Sequence, residues 1–258
     1  MKNLSCILVL ILFFGCNNVK KNNIKLVKGI AIIEGKVHNF NDNNRVLRLA
    51  GNGVVKDIEQ TAILDSLGNF RFVIEVFYPQ DVNLAFENGN ATLYIEPGDS
   101  LFLELDANVF EKDGFPNYKI TGMNSSTSKN IRDYFLFHNP FSYVPQFKKS
   151  PKEFLIDLRN QINHEDSILN EFSVKENPTK EFIYWAKNNM RYTFANYIMV
   201  YIAYERHKKK YKQYKTKIFN TSMFPVDKDS AIVCDLYILH LINYTVFKYL
   251  YSQPLKTI

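Results

Sequence analysis

The sequence predicts an α+β fold: an N-terminal antiparallel β-sandwich over residues 29–122, followed by a C-terminal all-helical region over residues 123–258. Three observations lead there. Short apolar–polar alternations recur from 29 to 122, about 8–12 residues apart, with turn formers between them. After Gly122 the apolar spacing lengthens to that of a helix. Hydrophobic residues make up 46% of the 258-residue chain and aromatics 15%, enough for a packed core and too much for wholesale disorder.

The strands follow in order. Residues 30–37 open the set, and 45–49 alternate apolar and basic side chains. Gly51-Asn52-Gly53 is a turn signal. Residues 61–64 lead into Asp65-Ser66-Leu67-Gly68-Asn69, a loop of turn formers. Residues 70–76 restore the period of two, with Phe70, Phe72, Ile74 and Val76 on one face. Then come 82–86, a turn at Asn88-Gly89-Asn90, 92–95, the tight turn Pro97-Gly98-Asp99, 101–105 and 118–122. In the second half, Asn124-Ser125-Ser126 can cap a helix running to Phe137. A loop broken by Pro140, Pro145 and Pro151 precedes an amphipathic stretch over 152–172, with Phe154, Leu155, Leu158, Ile162, Ile168 and Leu169 near helical spacing. Asn177-Pro178 reads as the start of a long helix to about Lys210. Pro225-Val226-Asp227 opens the last helix, about 228–252, whose apolar run is interrupted by Asp235, His240 and Asn243 and so does not read as membrane-spanning.

The first sixteen residues address the chain. Lys2 and Asn3 precede an apolar block over 4–14 that is closed by Gly15 and Cys16, the parts of a secretory signal. The block is about eleven residues, short of the ~20 a spanning helix needs. Cys16 after a small residue resembles the lipobox of bacterial lipoproteins, in which the thiol is diacylated and the leader is cut just before it. Phe13-Phe14 departs from that pattern, and an ordinary signal peptide or an uncleaved anchor is the alternative. Residues 17–28 read as a polar, basic tether whose Lys20, Lys21, Lys25 and Lys28 read as solvated, with contact to anionic head groups, ~1 kcal/mol each if close to the surface, as the alternative. Net charge is +6. For an exported chain this points to lipid head groups and envelope glycans, and no nucleic acid partner is expected. Asn17 and Asn18 carry no acidic surface-export signal, so the expected place is the cell envelope, lipid-anchored in the outer membrane and facing the periplasm.

Segments of this chain resemble a known family. Asp65-Ser66-Leu67-Gly68-Asn69-Phe70-Arg71-Phe72, then residues 93–101 with Pro97-Gly98-Asp99-Ser100, then Ile120-Thr121-Gly122 resemble the N-terminal region of Bacteroidetes-type thioredoxin lipoproteins. Those are similar to thiol-disulfide oxidoreductases of the TlpA and ResA kind. The resemblance implies a lipobox, a β-sandwich and a helical segment ahead of a thioredoxin domain. The sequence ends at Ile258 with no C-x-x-C, so no family catalytic residue is carried over. What the resemblance implies here is the non-catalytic half, as a standalone adaptor or a truncated form.

Chemistry-bearing residues are sparse. Of Cys6, Cys16 and Cys234, the first leaves with the leader and the second carries lipid, so the mature chain has one thiol, no internal disulfide and no dithiol cycle of its own. His38, His138, His164, His207 and His240 are scattered without ligand spacing, and neither a metal nor a cofactor is expected. There is no G-x-S-x-G elbow. Ser66 and Ser100 follow turn aspartates, which suits backbone capping. Asp227 and Asp229 suit a helix start. The basic run from Arg206 to Lys217 reads as a solvated helix end, with phosphate contact as its functional reading. The long helix carries Phe182, Tyr184, Trp185, Tyr192, Phe194, Tyr197, Tyr201 and Tyr204, more rings than one packing stripe needs. Most read as core, and some as a docking face for a protein partner or a sugar. Asp-Ser-aliphatic triplets at 65–67, 99–101, 166–168 and 229–231 resemble O-glycosylation acceptors of exported Bacteroidetes-type proteins. The expected function is a non-catalytic cell-envelope lipoprotein that binds or scaffolds. The alternatives are the accessory half of a thiol-disulfide oxidoreductase and a glycan-binding lipoprotein.

Overall fold

The computed structural model describes residues 26–87, 89–110, 118–138, 145, 147–206, 224–227 and 229–252. The expected leader with Cys6 and Cys16, the tether before Leu26, His207, and the basic run beyond Arg206 lie outside the described residues. Two four-stranded sheets face each other. One has the order β4 (Asn69–Val76), β1 (Gly29–His38), β7 (Ser100–Asp106), β8 (Lys119–Met123). The other has the order β3 (Ile58–Ile63), β2 (Val46–Gly51), β5 (Gln80–Phe86), β6 (Gly89–Ile95). The helices are α1 (Ala107–Phe110), α2 (Ser125–Phe137), α3 (Pro151–Glu176), α4 (Lys180–Arg206) and α5 (Asp235–Ser252), with a 3-10 turn at Asp229–Val233 ahead of α5. The fold class is thus the α+β one expected.

Alternation builds the sandwich. Along β4, Phe70, Phe72, Ile74 and Val76 are buried and Arg71 and Val73 face out. The same period in β1, β2 and β7 turns Ala31, Ile33, Leu47, Leu49, Leu101 and Leu103 into one core. One pairing breaks the antiparallel expectation: β1 runs parallel to β7, with Ile33 opposite Leu101 and Val37 opposite Leu105. The chain leaves β1 for the other sheet and returns, so both neighbours of β1 are distant in sequence. Every other pair among the described residues is antiparallel.

The helical region has its own, mainly aromatic core, with Phe154 stacked on Tyr201 at a ring separation of 4.0 Å and Tyr134 edge-on to Phe172 and Phe182. Tyr94, from β6, belongs to this second core, and Ser128 of α2 bonds both to the Tyr94 amide (2.8 Å) and to its carbonyl (3.0 Å). The helix starts differ from expectation in three places, one being α5, which begins at Asp235 after a 3-10 turn instead of near 228. Asn124 precedes α2 in a left-handed conformation without capping it, and its side chain donates instead to Asp99 Oδ1 (2.6 Å) in the β6–β7 turn. Asn177 ends α3 with φ 44°, and Thr179 caps α4 by accepting from the Phe182 amide (3.1 Å). Ser150 and Glu153 form a capping box at the start of α3, with Pro151 at its first turn. The turn expected at 88–90 is shorter, since Gly89 already pairs with Phe86 as the first residue of β6 and Asn88 lies outside the described residues.

Gly122 has φ 112°, and a Cβ there would lie 2.1 Å from the Ser100 carbonyl oxygen of the neighbouring strand. Gly122→Ala is therefore expected to cost about 1–3 kcal/mol of stability. Urea unfolding measures this, and an unchanged midpoint would contradict the pairing of β7 with β8.

Candidate functional site

Asp81 lies on β5, at the seam between the sandwich and the helices, and its carboxylate is buried. It accepts from two elements far away in the chain. Trp185 Nε1 on α4 donates to Oδ2 (2.7 Å), and the Asp235 amide, first in α5, donates to Oδ1 (2.6 Å). A carboxylate at a helix N-terminus satisfies an amide that the helix cannot pair and meets the positive end of its dipole. Asp235 passes the linkage on, since its Oδ1 accepts from the amide (2.8 Å) and side chain (2.5 Å) of Asn52 in the β2–β3 connection. Beside it, the Tyr78 hydroxyl accepts from the Val54 amide (2.7 Å).

Burial dominates the electrostatics here. It pushes the Asp81 carboxyl up to about 7, against the Trp185 and Asp235 donors, which favour the charged form. Burial also raises the Tyr78 phenol, and it raises the Cys234 thiol well above its usual range, with the nearby Asp81 charge adding to the shift. Cys234 is fully buried next to this seam, so its thiol is neither exposed nor prone to ionise.

Two recesses flank the seam. An open one of about 250 Å³ is bordered by Asn52, Asp57, Glu59, Asn83 and Asp235, and is thus acidic and rich in amides. A smaller one of about 30 Å³ lies among Tyr134, Phe135, Glu165, Trp185 and Tyr197. The smaller holds no more than a few waters, while the larger approaches the ~300 Å³ at which small-ligand pockets begin. At the edge of the smaller, buried Glu165 bonds His138 Nε2 and Gln161 Nε2, each at 2.8 Å, and the His164 ring lies 6.5 Å from that of His138. One of the scattered histidines, His138, therefore meets a carboxylate that sequence spacing did not associate with it, and a second, His164, lies beside it.

The other expected residues fall into place as follows. Asp65 Oδ1 accepts from the amides of Leu67 and Asn69, each at 2.8 Å, and Asp99 Oδ2 from that of Glu96 (2.7 Å), so the aspartates rather than Ser66 and Ser100 tie these turns. Asp227 is exposed, and Asp229 begins the 3-10 turn. On α4, Phe182, Trp185, Tyr192, Phe194 and Tyr201 are core, while Tyr184, Tyr197 and Tyr204 are half-buried. Ser66, Ser100 and Ser167 are exposed, while the Ser230 hydroxyl accepts from Tyr184 (2.5 Å). Among the described residues, no group of three His, Cys, Asp or Glu side chains could hold a metal ion. Sequence reasoning passed over Asp81 and Asn52 and treated Asp235 only as a break in an apolar helix. The available signal was an acidic residue beginning the otherwise apolar strand at 82–86.

No family model matches the chain, and no curated protein matches it. Among solved structures it is similar to a DUF3823 family protein from Parabacteroides merdae, at 13% identity and TM-score 0.23, covering 30% of this chain and 45% of that one. It is also similar to a proposed cell adhesion protein from Bacteroides ovatus, at 13% identity and TM-score 0.25, covering 38% of this chain and 44% of that one. The chain thus spans less than half the length of either, and likenesses this partial carry no functional argument.

Ionising Asp81 costs the folded protein what it does not cost the unfolded chain, where the group titrates near 3.8. Its contribution is therefore fully present below about pH 4 and is lost as pH rises through about 7. Relative to Asp81→Asn, which cannot ionise, the wild type is expected to lose about 1.4 kcal/mol per pH unit across that window and none above it. Urea unfolding of both proteins from pH 4 to 8 tests this, and a difference independent of pH would contradict it.

Proposed function

We propose that this chain is a non-catalytic lipoprotein of the cell envelope, held at the outer membrane by acylated Cys16 and acting as a binding module in the periplasm. The observation that carries the binding role is the open 250 Å³ recess at the seam, whose rim is held by the buried Asp81–Trp185–Asp235 joint. A recess with fixed walls loses little freedom when filled, which favours binding. Its acidic and amide lining suits a hydroxyl-rich or cationic small ligand. The leader over 1–16 supports the anchor. In this reading the chain corresponds to the non-catalytic portion of thioredoxin lipoproteins, and its buried Cys234 supplies no thiol for exchange.

A protein partner on the helical region is a second role, favoured by one feature. Ile242, Val246 and Tyr249 are exposed on α5 at helical spacing, forming a narrow apolar stripe.

Mass spectrometry of the mature protein is expected to find a diacylated Cys16 at its N-terminus. Cys16→Ser is expected to leave the fold intact and move the protein from the membrane to the soluble fraction. An unmodified leader still attached to the wild type, or unchanged fractionation of the variant, would overturn the anchor.

A further inference from the structure

The end of the sandwich from which the chain runs back toward Cys16 carries a rim of exposed aliphatic side chains. Leu26 and Val27, just before β1, are 59% and 47% exposed, and Val54 and Val55, in the β2–β3 connection, are 56% and 48% exposed. Both segments bond to adjoining residues of the connection between β4 and β5, one to a carbonyl and the other to a side-chain hydroxyl. The Val27 amide donates to the Phe77 carbonyl (2.9 Å), and the Val54 amide donates to the hydroxyl of the adjoining Tyr78 (2.7 Å). Lysines flank them. Lys28 pairs with Glu75 (2.6 Å) and lies 5.9 Å from the centre of the Phe77 ring. The hydrogen bond from Lys28 holds the Glu75 carboxyl below its usual range, and Lys56 follows Val55 directly in the β2–β3 connection and is exposed. Two acidic groups here are engaged, Glu75 by Lys28 and Asp57 by the Gly53 amide (2.9 Å), while Glu59 at the start of β3 is exposed on the border of the acidic recess.

We propose that this rim rests on the bilayer surface, with Leu26, Val27, Val54 and Val55 among the lipid head groups and upper acyl chains, and Lys28 and Lys56 against anionic phosphates. The proposal rests on the acylated-Cys16 reading and deepens it. Chain length is the first argument. Residues 17–26 are ten residues, which reach about 35 Å at full extension and about 18 Å on average as a flexible chain. A lipid on Cys16 therefore keeps Leu26 close to the membrane. The far end of the sandwich, where the Val37 amide bonds the Gly68 carbonyl, lies eight residues further along β1, about 26 Å away. Charge is the second argument. Lys20, Lys21 and Lys25 in the tether have the same sign as the rim lysines, and basic side chains beside apolar ones are what an anionic interface attracts. Tethering is the third. Held at a high effective concentration, a rim of four aliphatic side chains that would bind only weakly in solution stays in contact. The consequence is orientation: the protein stands on the membrane with this end down instead of swinging freely on its lipid.

The test uses the full-length acylated protein reconstituted into vesicles of phosphatidylethanolamine and phosphatidylglycerol. A polarity-sensitive dye is attached at Val55→Cys and, in a second preparation, at Leu67→Cys, which is 68% exposed at the far end; Cys234 is buried and does not compete for the label. Spin-labelled lipids are expected to quench the dye at 55 several-fold more strongly than the dye at 67. Adding Val54→Asp is expected to bring quenching at 55 down toward the level at 67. Equal quenching at the two sites, in protein that sediments with the vesicles, would overturn the rim contact while leaving the anchor standing. Protein that does not sediment with them would overturn the anchor and the rim with it. A dye at 55 that is shielded equally with and without vesicles would assign the rim to a protein partner, and the proposal would fail.

Discussion

A carboxylate with almost no access to water joins the two halves of this protein. Burying a charge is costly unless hydrogen bonds replace its hydration, and Asp81 receives one from a side chain of α4 and one from the first amide of α5. Each donor is useful only if its helix lies at one distance from β5. The joint therefore sets where α4 and α5 meet the sandwich, while Ser128 on Tyr94 does the same for α2. Asp235 then extends the constraint to the β2–β3 connection through Asn52, which borders the open recess. Separating the halves would leave Asp81, the Trp185 indole and a helix-end amide unpaired together.

Local structure was largely legible from sequence because it follows from local periodicity. The period of two marked the faces of β4, and the Pro97-Gly98-Asp99 turn and the helical spacing over 152–172 could be seen without tertiary knowledge. What escaped has a common cause, in that the deciding partner is far away or the local signal fits two structures. The partners of Asp81 are 104 and 154 residues distant. The parallel pairing of β1 with β7 is invisible to a pattern that reports only which face is buried. Asn177-Pro178 suits a helix start, yet Asn also tolerates the left-handed conformation that ends a helix, and Thr179, whose hydroxyl is hydrogen-bonded to that of Thr127 (3.0 Å), caps the next helix in its place.

The same reasoning narrows function. The rings of the long helix read mostly as core, and Phe182, Trp185, Tyr192 and Tyr201 are indeed spent on packing. Cys234 is held in the core beside a buried carboxylate, the opposite of the electropositive, partly exposed setting that makes a thiol reactive. These residues serve the architecture. The proposed binding role rests on the recess at the seam and the surface residues around it.

The central claim is that the Asp81 joint makes the sandwich and the helices one cooperative body. Native-state hydrogen exchange, followed with increasing denaturant, tests it most directly. The account predicts that the slowest amides of β1, β5, α4 and the first turns of α5 converge on one opening free energy. Helical amides that exchange through a separate, lower-energy opening while β1 and β5 stay protected would contradict it.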